Sequence, residues 1–425
     1  MMALTLFGLF FLLIFLNVPI AVSLGLSALV GLKIGGFSFD MFPNTMYAAI
    51  GKFALLAIPF FILAGVLMDY AGISKRLVRF AQVCVGHSRS GLIAVTVVVS
   101  CFFAAISGSG PATVAALGSI LIPAMADAGY DRALSTALMS ASGAIGIIIP
   151  PSIAYVVYAS IADVSVASIF TAGIIPGIVL GAAYIGAAMW ASRNNNNIIR
   201  QPKASGKEVW SAFKDAIWGL LTPVIILGGI YGGIFTPTEA AAVAVVYGAV
   251  VGIFVYKEIK ISDLKKIIVD AAVSSGTVMY IVACASVFAW ILTTSRIANN
   301  FSEALMAASS NKYVLLLIMN IIFLIAGCFL DANSAFYILL PVMIPVCKAV
   351  GIDLVHFGVV ITVNMAIGLI TPPVGVNLYV GSSIGRVSVT DLCKKIIPFI
   401  IAGVITLMIL SYIPQITMFL PGLMK

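Results

Sequence analysis

Two short polar segments interrupt long apolar stretches of this 425-residue sequence, and their side chains are suited to binding ions. The first segment reads Ser107-Gly108-Ser109-Gly110-Pro111, and the second reads Asp331-Ala332-Asn333-Ser334. Hard cations such as Na⁺ prefer oxygen ligands, and these segments offer hydroxyl, amide, carboxylate and backbone oxygens. We therefore expect each segment to contribute to a cation site.

A pair of prolines follows each polar segment, Pro150-Pro151 in one case and Pro372-Pro373 in the other, and each pair predicts a broken helix. A broken helix leaves carbonyl groups unpaired at the end of its first half and N–H groups unpaired at the start of its second half. The carbonyls suit Na⁺, and the positive N-terminal ends suit an anionic group. Pro151 and Pro373 are expected at the first helical position, where a missing N–H group costs nothing.

The polar segments and the breaks belong to an internal duplication. Five residues recur 222 positions later without a gap: Pro123, Gly129, Asp131, Pro150 and Pro176 return as Pro345, Gly351, Asp353, Pro372 and Pro398. Paired interruptions at corresponding positions of two halves indicate the binding site of a secondary transporter. We therefore expect one Na⁺ site in each copy, with an organic substrate between them.

The candidate site residues lie at the two polar segments and at the breaks that face them. The candidate Na⁺ ligands are Ser107, Gly108, Ser142, Gly146 and Ile149 in the first copy, and Asn333, Ser334, Asn364, Gly368 and Thr371 in the second. The candidate substrate contacts are Ser109, Gly110, Pro151, Ser152, Asp331, Asn333, Pro373 and Asn377. Small polar residues also let membrane helices pack closely, which explains single residues such as Ser119. Asp331 is a cation ligand, a group near the substrate, or a structural cap or ion-pair partner.

The composition excludes an ordinary soluble domain. Hydrophobic residues make up 62% of the sequence and charged residues 9%, whereas soluble domains carry about 25% charged residues. A membrane β-barrel would show alternating segments of about ten residues, and the apolar runs here are longer. The sequence therefore predicts an all-α polytopic membrane protein that spans the lipid bilayer and has no nucleic-acid partner.

The apolar runs divide the sequence into two repeats joined by a polar linker. The first repeat, 1–190, comprises spans within 3–70, a hairpin at 92–126, a broken span at 133–161 and a span at 168–190. The linker is 191–212. The second repeat, 213–425, comprises spans within 213–292 with an interfacial segment near 260–270, a hairpin at 313–348, a broken span at 356–384 and a span at 394–420. Residues 3–32 are expected to form one long or bent span around Pro19.

Each polar segment lies at the tip of a predicted re-entrant hairpin. The helices of the first hairpin, Leu92–Ile106 and Ala112–Ala126, are expected to be about 15 residues long, or roughly 22 Å. Such helices are short for a hydrocarbon core of ~30 Å. Irregular backbone at membrane depth is tolerated only inside protein or beside a cavity, so we expect the tips to be buried in the protein or to line a cavity.

Five predicted spans separate the two hairpins, so the second repeat is inverted relative to the first if the hairpins do not cross the membrane. The basic residues agree with this orientation, because 17 of them fall on one side and 6 on the other. The side rich in Lys and Arg faces the cytoplasm, and it includes the linker 191–212. The first hairpin is therefore expected to enter from the cytoplasm and the second from outside.

At these residues the sequence resembles the large membrane subunit of the tripartite ATP-independent periplasmic (TRAP) transporters. The matching stretches are 102–116, which includes Ser107-Gly108-Ser109-Gly110-Pro111, the Pro150-Pro151-Ser152 break, the run Thr371–Asn377, and Ala57–Gly65. The resemblance implies an elevator-type carrier of the bacterial inner membrane, driven by a Na⁺ gradient. It also implies two partners, a small membrane subunit (Q) and a periplasmic substrate-binding protein (P).

The substrates implied by this resemblance are organic acids. The sequence looks most similar to the sialic-acid branch, whose substrate is N-acetylneuraminate, and a C4-dicarboxylate or another sugar acid is the alternative. An ion channel and a non-transporting scaffold subunit are more distant alternatives. An intramembrane enzyme is not expected, because the sequence has neither an H-E-x-x-H motif nor a pair of aspartates among its apolar segments.

Overall fold

The computed structural model describes residues 2–88, 90–199 and 203–423, and every regular element in these ranges is helical. In these described ranges, eight helical segments are long and apolar enough to cross a membrane, and two of them include a 3₁₀ or π-helical turn. The predicted all-α membrane fold is confirmed. Three basic residues that contributed to the predicted orientation, Arg89, Arg200 and Lys425, lie outside the described ranges.

Within its described residues, the first half of the chain contains ten helices. They are α1 (Met2–Phe15), α2 (Ile20–Gly35), α3 (Met41–Ile50), α4 (Ala57–Tyr70), α5 (Ile73–Val85), α6 (Gly91–Ser107), α7 (Gly110–Asp127), α8 (Arg132–Ala144), α9 (Ile153–Ala162) and α10 (Val166–Ala191). A 3₁₀ turn, Phe53–Leu56, leads into α4, and another, Ile145–Ile147, follows α8.

Ten more helices lie in the part of the second half that the structure describes. They are α11 (Gly206–Tyr231), α12 (Pro237–Val250), α13 (Ile261–Thr294), α14 (Ile297–Ala308), α15 (Lys312–Gly327), α16 (Ala332–Ala349), α17 (Leu354–Gly368), α18 (Val376–Gly385), α19 (Val389–Tyr412) and α20 (Pro414–Leu423). A π-helical turn, Val251–Val255, continues α12.

The N-terminal segment differs from the predicted single span, because α1 and α2 form an antiparallel pair. A Cβ atom placed on Gly31 would lie 2.9 Å from the Leu6 side chain, and one placed on Gly35 would lie 2.8 Å from Met2. The chain reverses between the helices at Asn17, which has a φ of +62°. Pro19, which lacks an N–H group, then begins the return.

Three other boundaries also differ from the prediction. The expected span 394–420 is divided at Pro414, because a proline disfavours the helical conformation of the residue before it. Helix α13 has 34 residues and includes the segment near 260–270 that was predicted to be interfacial. Helix α11 begins at Gly206, inside the predicted linker, because Ser205 and Glu208 form a capping box there.

The duplication predicted from the sequence extends to local structure. Helices α7 and α16 begin 222 residues apart, and so do α8 and α17. Asp131 and Asp353 are the N-caps of α8 and α17, and their carboxylates accept backbone N–H groups at 2.7 and 2.8 Å. Gly129 and Gly351, with φ of +85° and +71°, make the preceding turns. The two copies therefore use the same turns and caps, and the inverted orientation stays a prediction.

The second half of each broken span packs against the other copy of the duplication. Helix α18 lies against α7 and α8, and helix α9 lies against α16 and α17. Helices α10 and α19 pack against each other. This exchange brings both hairpins and both breaks into one central body.

Candidate functional site

The tip of the first hairpin is buried and lies on the first break. Helix α6 ends at Ser107, Gly108 has a φ of +60°, and α7 begins at Gly110. A Cβ atom on Gly108 would lie 2.9 Å from the Pro151 carbonyl oxygen, so the close approach requires glycine. Helices α6 and α7 are 17 and 18 residues long rather than about 15, because Gly91, Ser107, Gly110, Pro111 and Asp127 are also helical. Helix α7 is thus long enough to cross a membrane. The observation that supports a re-entrant hairpin is therefore the burial of the tip and not the length of the helices.

Three oxygen atoms cluster at this first tip. The Ser107 and Thr113 hydroxyl oxygens lie 3.0 Å apart, and the Thr113 hydroxyl donates to the Ser109 carbonyl oxygen at 2.8 Å. Gly146 adjoins the cluster, since a Cβ atom on it would lie 2.9 Å from the same carbonyl oxygen. Sequence reasoning missed Thr113, although it lies four residues after Ser109 and therefore on the same face of α7.

The tip of the second hairpin is held by Asp331, the N-cap of α16. One carboxylate oxygen accepts the Asn333 and Ser334 N–H groups at 2.9 and 3.3 Å, and the other accepts the Ser334 hydroxyl. Of the roles considered for Asp331, the structural cap is therefore observed. Ser109, its counterpart in the first copy, is the N-cap of α7 but makes no capping bond through its side chain to any described residue.

A buried polar network lies beneath the second tip. The Asn364 amide donates to the Asn320 backbone oxygen at 2.9 Å and to the Asn320 side-chain oxygen at 3.2 Å. Asn320 in turn donates to the Ser411 hydroxyl at 2.9 Å. Sequence reasoning missed Asn320 and Ser411, because an isolated polar residue in an apolar helix is usually a packing residue.

Two equivalent buried oxygens lack a hydrogen-bond partner within the described ranges. They are the Ser142 hydroxyl and the Asn364 side-chain oxygen, and both residues are fully buried. Buried polar atoms are nearly always satisfied, and leaving one unpaired costs about 1–3 kcal/mol. A cation with oxygen ligands is one group that would satisfy them, so the residues at both positions fit the predicted Na⁺ sites.

The two breaks correct the predicted positions of Pro151 and Pro373. Both Pro-Pro bonds are cis, and both prolines precede the half-helix instead of starting it. Ser152 takes the N-cap of α9, where its hydroxyl accepts the Tyr155 N–H at 3.4 Å and donates to the Ile147 carbonyl at 2.6 Å. Gly375 precedes α18 with a φ of +42°. A serine hydroxyl can satisfy a free N–H group at the helix start, which proline cannot do.

The remaining candidates at the breaks have structural contacts. The Thr371 hydroxyl donates to the Ile367 carbonyl at 2.7 Å, and the Ile149 N–H donates to the Ile145 carbonyl at 3.1 Å. Gly368 packs against the second hairpin, since a Cβ atom on it would lie 2.7 Å from Gly327 Cα.

Asn377 links the two copies of the duplication. Its amide donates to the Ser140 carbonyl at 3.0 Å, and the Ser140 hydroxyl donates to the Asn377 carbonyl at 3.1 Å. The Asn377 side-chain oxygen is buried and has no partner among the described residues. It adjoins Gly110, because a Cβ atom on Gly110 would lie 3.2 Å from it.

Both hairpin tips line a cavity of about 220 Å³, and a second cavity of about 200 Å³ adjoins it. The two cavities share Ser109, Ile153 and Val278. Six predicted residues line them: Ser107, Gly108, Ser109, Gly110, Asp331 and Asn333. The other candidates, Ser142, Gly146, Ile149, Pro151, Ser152, Ser334, Asn364, Gly368, Thr371, Pro373 and Asn377, are not among the lining residues. Helices α4 and α13 form the opposite wall, which sequence reasoning did not assign to the site.

Comparison with known proteins identifies the family. The profile described as "Tripartite ATP-independent periplasmic transporter, DctM component" matches residues 7–416. A C4-dicarboxylate TRAP transporter large permease protein from Pseudomonas aeruginosa is 42% identical, with 94% of each chain covered. An isethionate TRAP transporter permease protein, DctMQ, from Oleidesulfovibrio alaskensis is 41% identical, over 98% of this chain and 66% of that one.

More distant relatives agree with this result. The sialic acid TRAP transporter permease protein SiaT from Haemophilus influenzae is 35% identical, over 96% of this chain and 67% of that one. The crystal structure of the Alcanivorax borkumensis YdaH transporter matches with a TM-score of 0.64, covering 91% of this chain and 89% of that one. Because the sequence identity is 15%, this second match supports the similarity of the fold alone. The chain therefore belongs to the DctM family, the large permease component of TRAP transporters, and is a multi-pass protein of the inner membrane.

Proposed function

We propose that this permease carries out Na⁺-coupled uptake of a small organic acid, which binds between the two hairpin tips. The observation that carries the proposal is the cavity lined by Ser109 and Gly110 of one hairpin and by Asp331 and Asn333 of the other. Equivalent interruptions that meet at one cavity are typical of secondary transporters.

Two Na⁺ sites, one in each copy, are part of the proposal. The first would use oxygens of Ser107, Ser109, Thr113 and Ser142, near Gly108, Gly146 and Ile149. The second would use Asn333, Ser334, Asn364 and Thr371, near Gly368. The unpaired oxygens of Ser142 and Asn364 support both sites, since these residues are equivalent in the duplication and fully buried. A bound Na⁺ would supply positive charge for an anionic substrate.

An elevator movement is the second part of the proposal. Together, the two adjoining cavities have one wall from the hairpins and α9, and another from α4 and α13. A body that contains the hairpins and the broken helices would slide along α4 and α13 and expose the site on alternate sides. The predicted inversion of the two repeats supports two equivalent end states.

The partners are proposed from the family and one relative. TRAP transporters are tripartite, so the permease would work with a small membrane subunit and a periplasmic substrate-binding protein. The relative named DctMQ is longer than this chain, which spans 66% of it. Its name supports a Q-type partner for the present chain.

The substrate is proposed only as a class. The relatives are named for isethionate, C4-dicarboxylates, sialic acid and 2,3-diketo-L-gulonate, all of them organic acids. Sialic acid stays a prediction, because the relative named for it is 35% identical and the one named for C4-dicarboxylates is 42% identical.

Reconstituted transport tests this function. The permease, its small subunit and its binding protein would be placed in proteoliposomes with an inward Na⁺ gradient and no ATP, and a panel of organic acids would be offered. We expect accumulation of one acid that stops when any of the three proteins is omitted. Uptake that neither saturates nor shows counterflow would instead indicate a channel.

A further inference from the structure

We infer that the permease site selects an acid with a single negative charge and a hydrogen-bond donor, such as a hydroxy acid or a hydroxyalkyl sulfonate, over a dianion. The inference rests on the proposed function, because it concerns the same cavity between the hairpin tips. It separates monoanions from C4-dicarboxylates, which the similarity to known permeases does not do.

The charges around the cavity point to this selectivity. None of the described residues that line the two adjoining cavities is Lys, Arg or His. Asp331 contributes a carboxylate between the tips. Asp69 lines the adjoining cavity, where it is exposed and accepts the Ser74 hydroxyl at 2.8 Å. A second anionic group on the substrate would therefore meet a carboxylate and no basic side chain.

The two hairpins differ in their capacity to bind an anion. Helix N-termini bind anions through free N–H groups and the helix dipole. In α16 this position is already taken by the Asp331 carboxylate. In α7, which has 18 residues, the side chain of Ser109 makes no capping bond within the described part of the chain. Of the two hairpin tips, the first therefore leaves its helix N-terminus for the substrate, and this terminus faces the cavity through Ser109, Gly110 and Pro111.

Unpaired acceptors near this terminus call for a donor on the ligand. The Asn377 side-chain oxygen is buried beside Gly110 and has no partner in the described structure. Its orientation is fixed, because the amide nitrogen donates to the Ser140 carbonyl. The side-chain oxygen of Asn333, on the cavity wall, is also unpaired among the described residues. A hydroxyl or amino group on the substrate would satisfy the Asn333 oxygen, which lines the cavity, whereas a second carboxylate would not.

The charge balance leads to the same result. Two Na⁺ ions beside the Asp331 carboxylate would leave one net positive charge between the tips. One anionic group neutralises it, but a dianion leaves a negative charge uncompensated at low dielectric, where unpaired charges are costly. We expect a discrimination of about tenfold or more between a monoanion and a dianion of the same size.

Thermal stabilisation of the purified permease in detergent tests the inference without the binding protein, which would add its own selectivity. Two size-matched pairs, 4-hydroxybutyrate with succinate and gluconate with glucarate, would be titrated in NaCl and in KCl. In at least one pair the monoanion is expected to stabilise the protein at about tenfold lower concentration than the dianion, in Na⁺ only. The inference is overturned if, in every pair that shows binding, the dianion binds as tightly as its monoanion or more tightly.

Substitution of Asp331 adds a second readout. Asp331→Asn keeps a good N-cap residue for α16 but removes the negative charge, so the preference for monoanions should fall by about tenfold. Asp127→Asn makes the same charge change at the exposed far end of α7 and should leave the preference unchanged. Equal effects of the two variants contradict the role of Asp331.

The outcomes also separate this inference from the proposed function. Na⁺-dependent binding of dianions would leave the proposed function intact, whereas binding that does not depend on Na⁺, or no binding of any acid, contradicts the function itself.

Discussion

The hydroxyl groups of Ser107 and Thr113 lie 3.0 Å apart at the first hairpin tip, next to the Ser109 carbonyl oxygen. These hydroxyls bond to one another and to the backbone, yet each oxygen keeps a lone pair that a cation can use. Ser107 and Thr113 are also nearly or fully buried. At the scale of single residues, the first tip thus has the chemistry of a Na⁺ site.

The variant Thr113→Val tests this cluster, because valine keeps the shape of threonine and removes its oxygen. Loss of one ligand or hydrogen bond costs about 1–3 kcal/mol, which corresponds to roughly a tenfold to hundredfold change in affinity. We expect the Na⁺ concentration for half-maximal uptake to rise by about this factor. Thr277→Val, on an exposed hydroxyl that bonds within α13, is the control. Equal behaviour of the two variants would show that Thr113 is a packing residue.

The sequence predicts only part of the site at this scale. Ser107, Ser109, Asp331 and Asn333 could be identified, because polar residues at a turn inside an apolar segment need a buried or functional explanation. Thr113 and Asn320 could not, because their partners lie on another turn or another helix and each residue alone resembles a packing residue. The capping role of Asp331 also depends on backbone geometry that a sequence does not specify.

Helices α8 and α18 join the two copies through close glycine contacts. Side chains on Gly381 and Gly385 would overlap the hydroxyls of Ser140 and Thr136 on α8. Arg132 donates to the Gly385 carbonyl at 2.8 Å, and Asn377 continues the contact toward the tip. The second half of one broken span is therefore fixed to the first half of the other.

The variant Gly381→Val should weaken this contact. Overpacking of a well-packed interior typically costs about 1–3 kcal/mol, so we expect a lower thermal unfolding midpoint for the purified permease. Gly228→Ala, in α11, is the matched control, because an added Cβ atom there meets no described atom within 4 Å and alanine favours a helix. An unchanged midpoint for Gly381→Val would mean that the two copies are not closely packed at this position.

At the scale of elements, the sequence could predict a feature only where a residue type alone determines the direction of the chain. The proline pairs indicated both breaks, and the breaks are at the expected positions. The half-helices start later than expected, because Ser152 and Gly375 are their N-cap residues. Pro19 signalled an interruption, but a single proline does not specify whether a helix bends or reverses, and α1 and α2 reverse.

The orientation in the membrane belongs to the scale of the whole molecule. The basic residues place the linker 191–212 in the cytoplasm. Part of this linker is attached to the protein, because Asn195 donates to the Gly129 carbonyl at 2.9 Å and the Ile199 N–H donates to the Ala128 carbonyl at 3.0 Å. Tolerance to substitution is therefore expected at the exposed Asn194 and Asn196, not at Asn195.

Cysteine labelling in intact cells tests this orientation. In a cysteine-free variant, Asn196→Cys should react with an impermeant thiol reagent only after the cells are permeabilised. Ser310→Cys, exposed between α14 and α15 on the predicted outer side, should react without permeabilisation. The reverse pattern would invert the whole topology and the entry sides of both hairpins.

The architecture of the whole molecule was predictable because the duplication and the composition act over many residues. The relative positions of α4 and α13 were not, because apolar helices of similar composition can pack in many orders. These two helices form the wall opposite the hairpin tips, so the proposed movement could be described only from the structure.

The dependence of uptake on Na⁺ in the reconstituted complex tests the central claim most directly. Uptake would be measured with Na⁺ or with K⁺ on both sides, for the wild type, Ser109→Ala, Asn333→Ala and the control Ser119→Ala, whose hydroxyl bonds within α7. Because Na⁺ and substrate binding are linked, both tip variants should need about tenfold or more Na⁺ for half-maximal uptake. Ser119→Ala should behave like the wild type, and K⁺ should not replace Na⁺. Equal uptake in K⁺, or identical Na⁺ requirements for all three variants, would contradict a cation-coupled site between the hairpin tips.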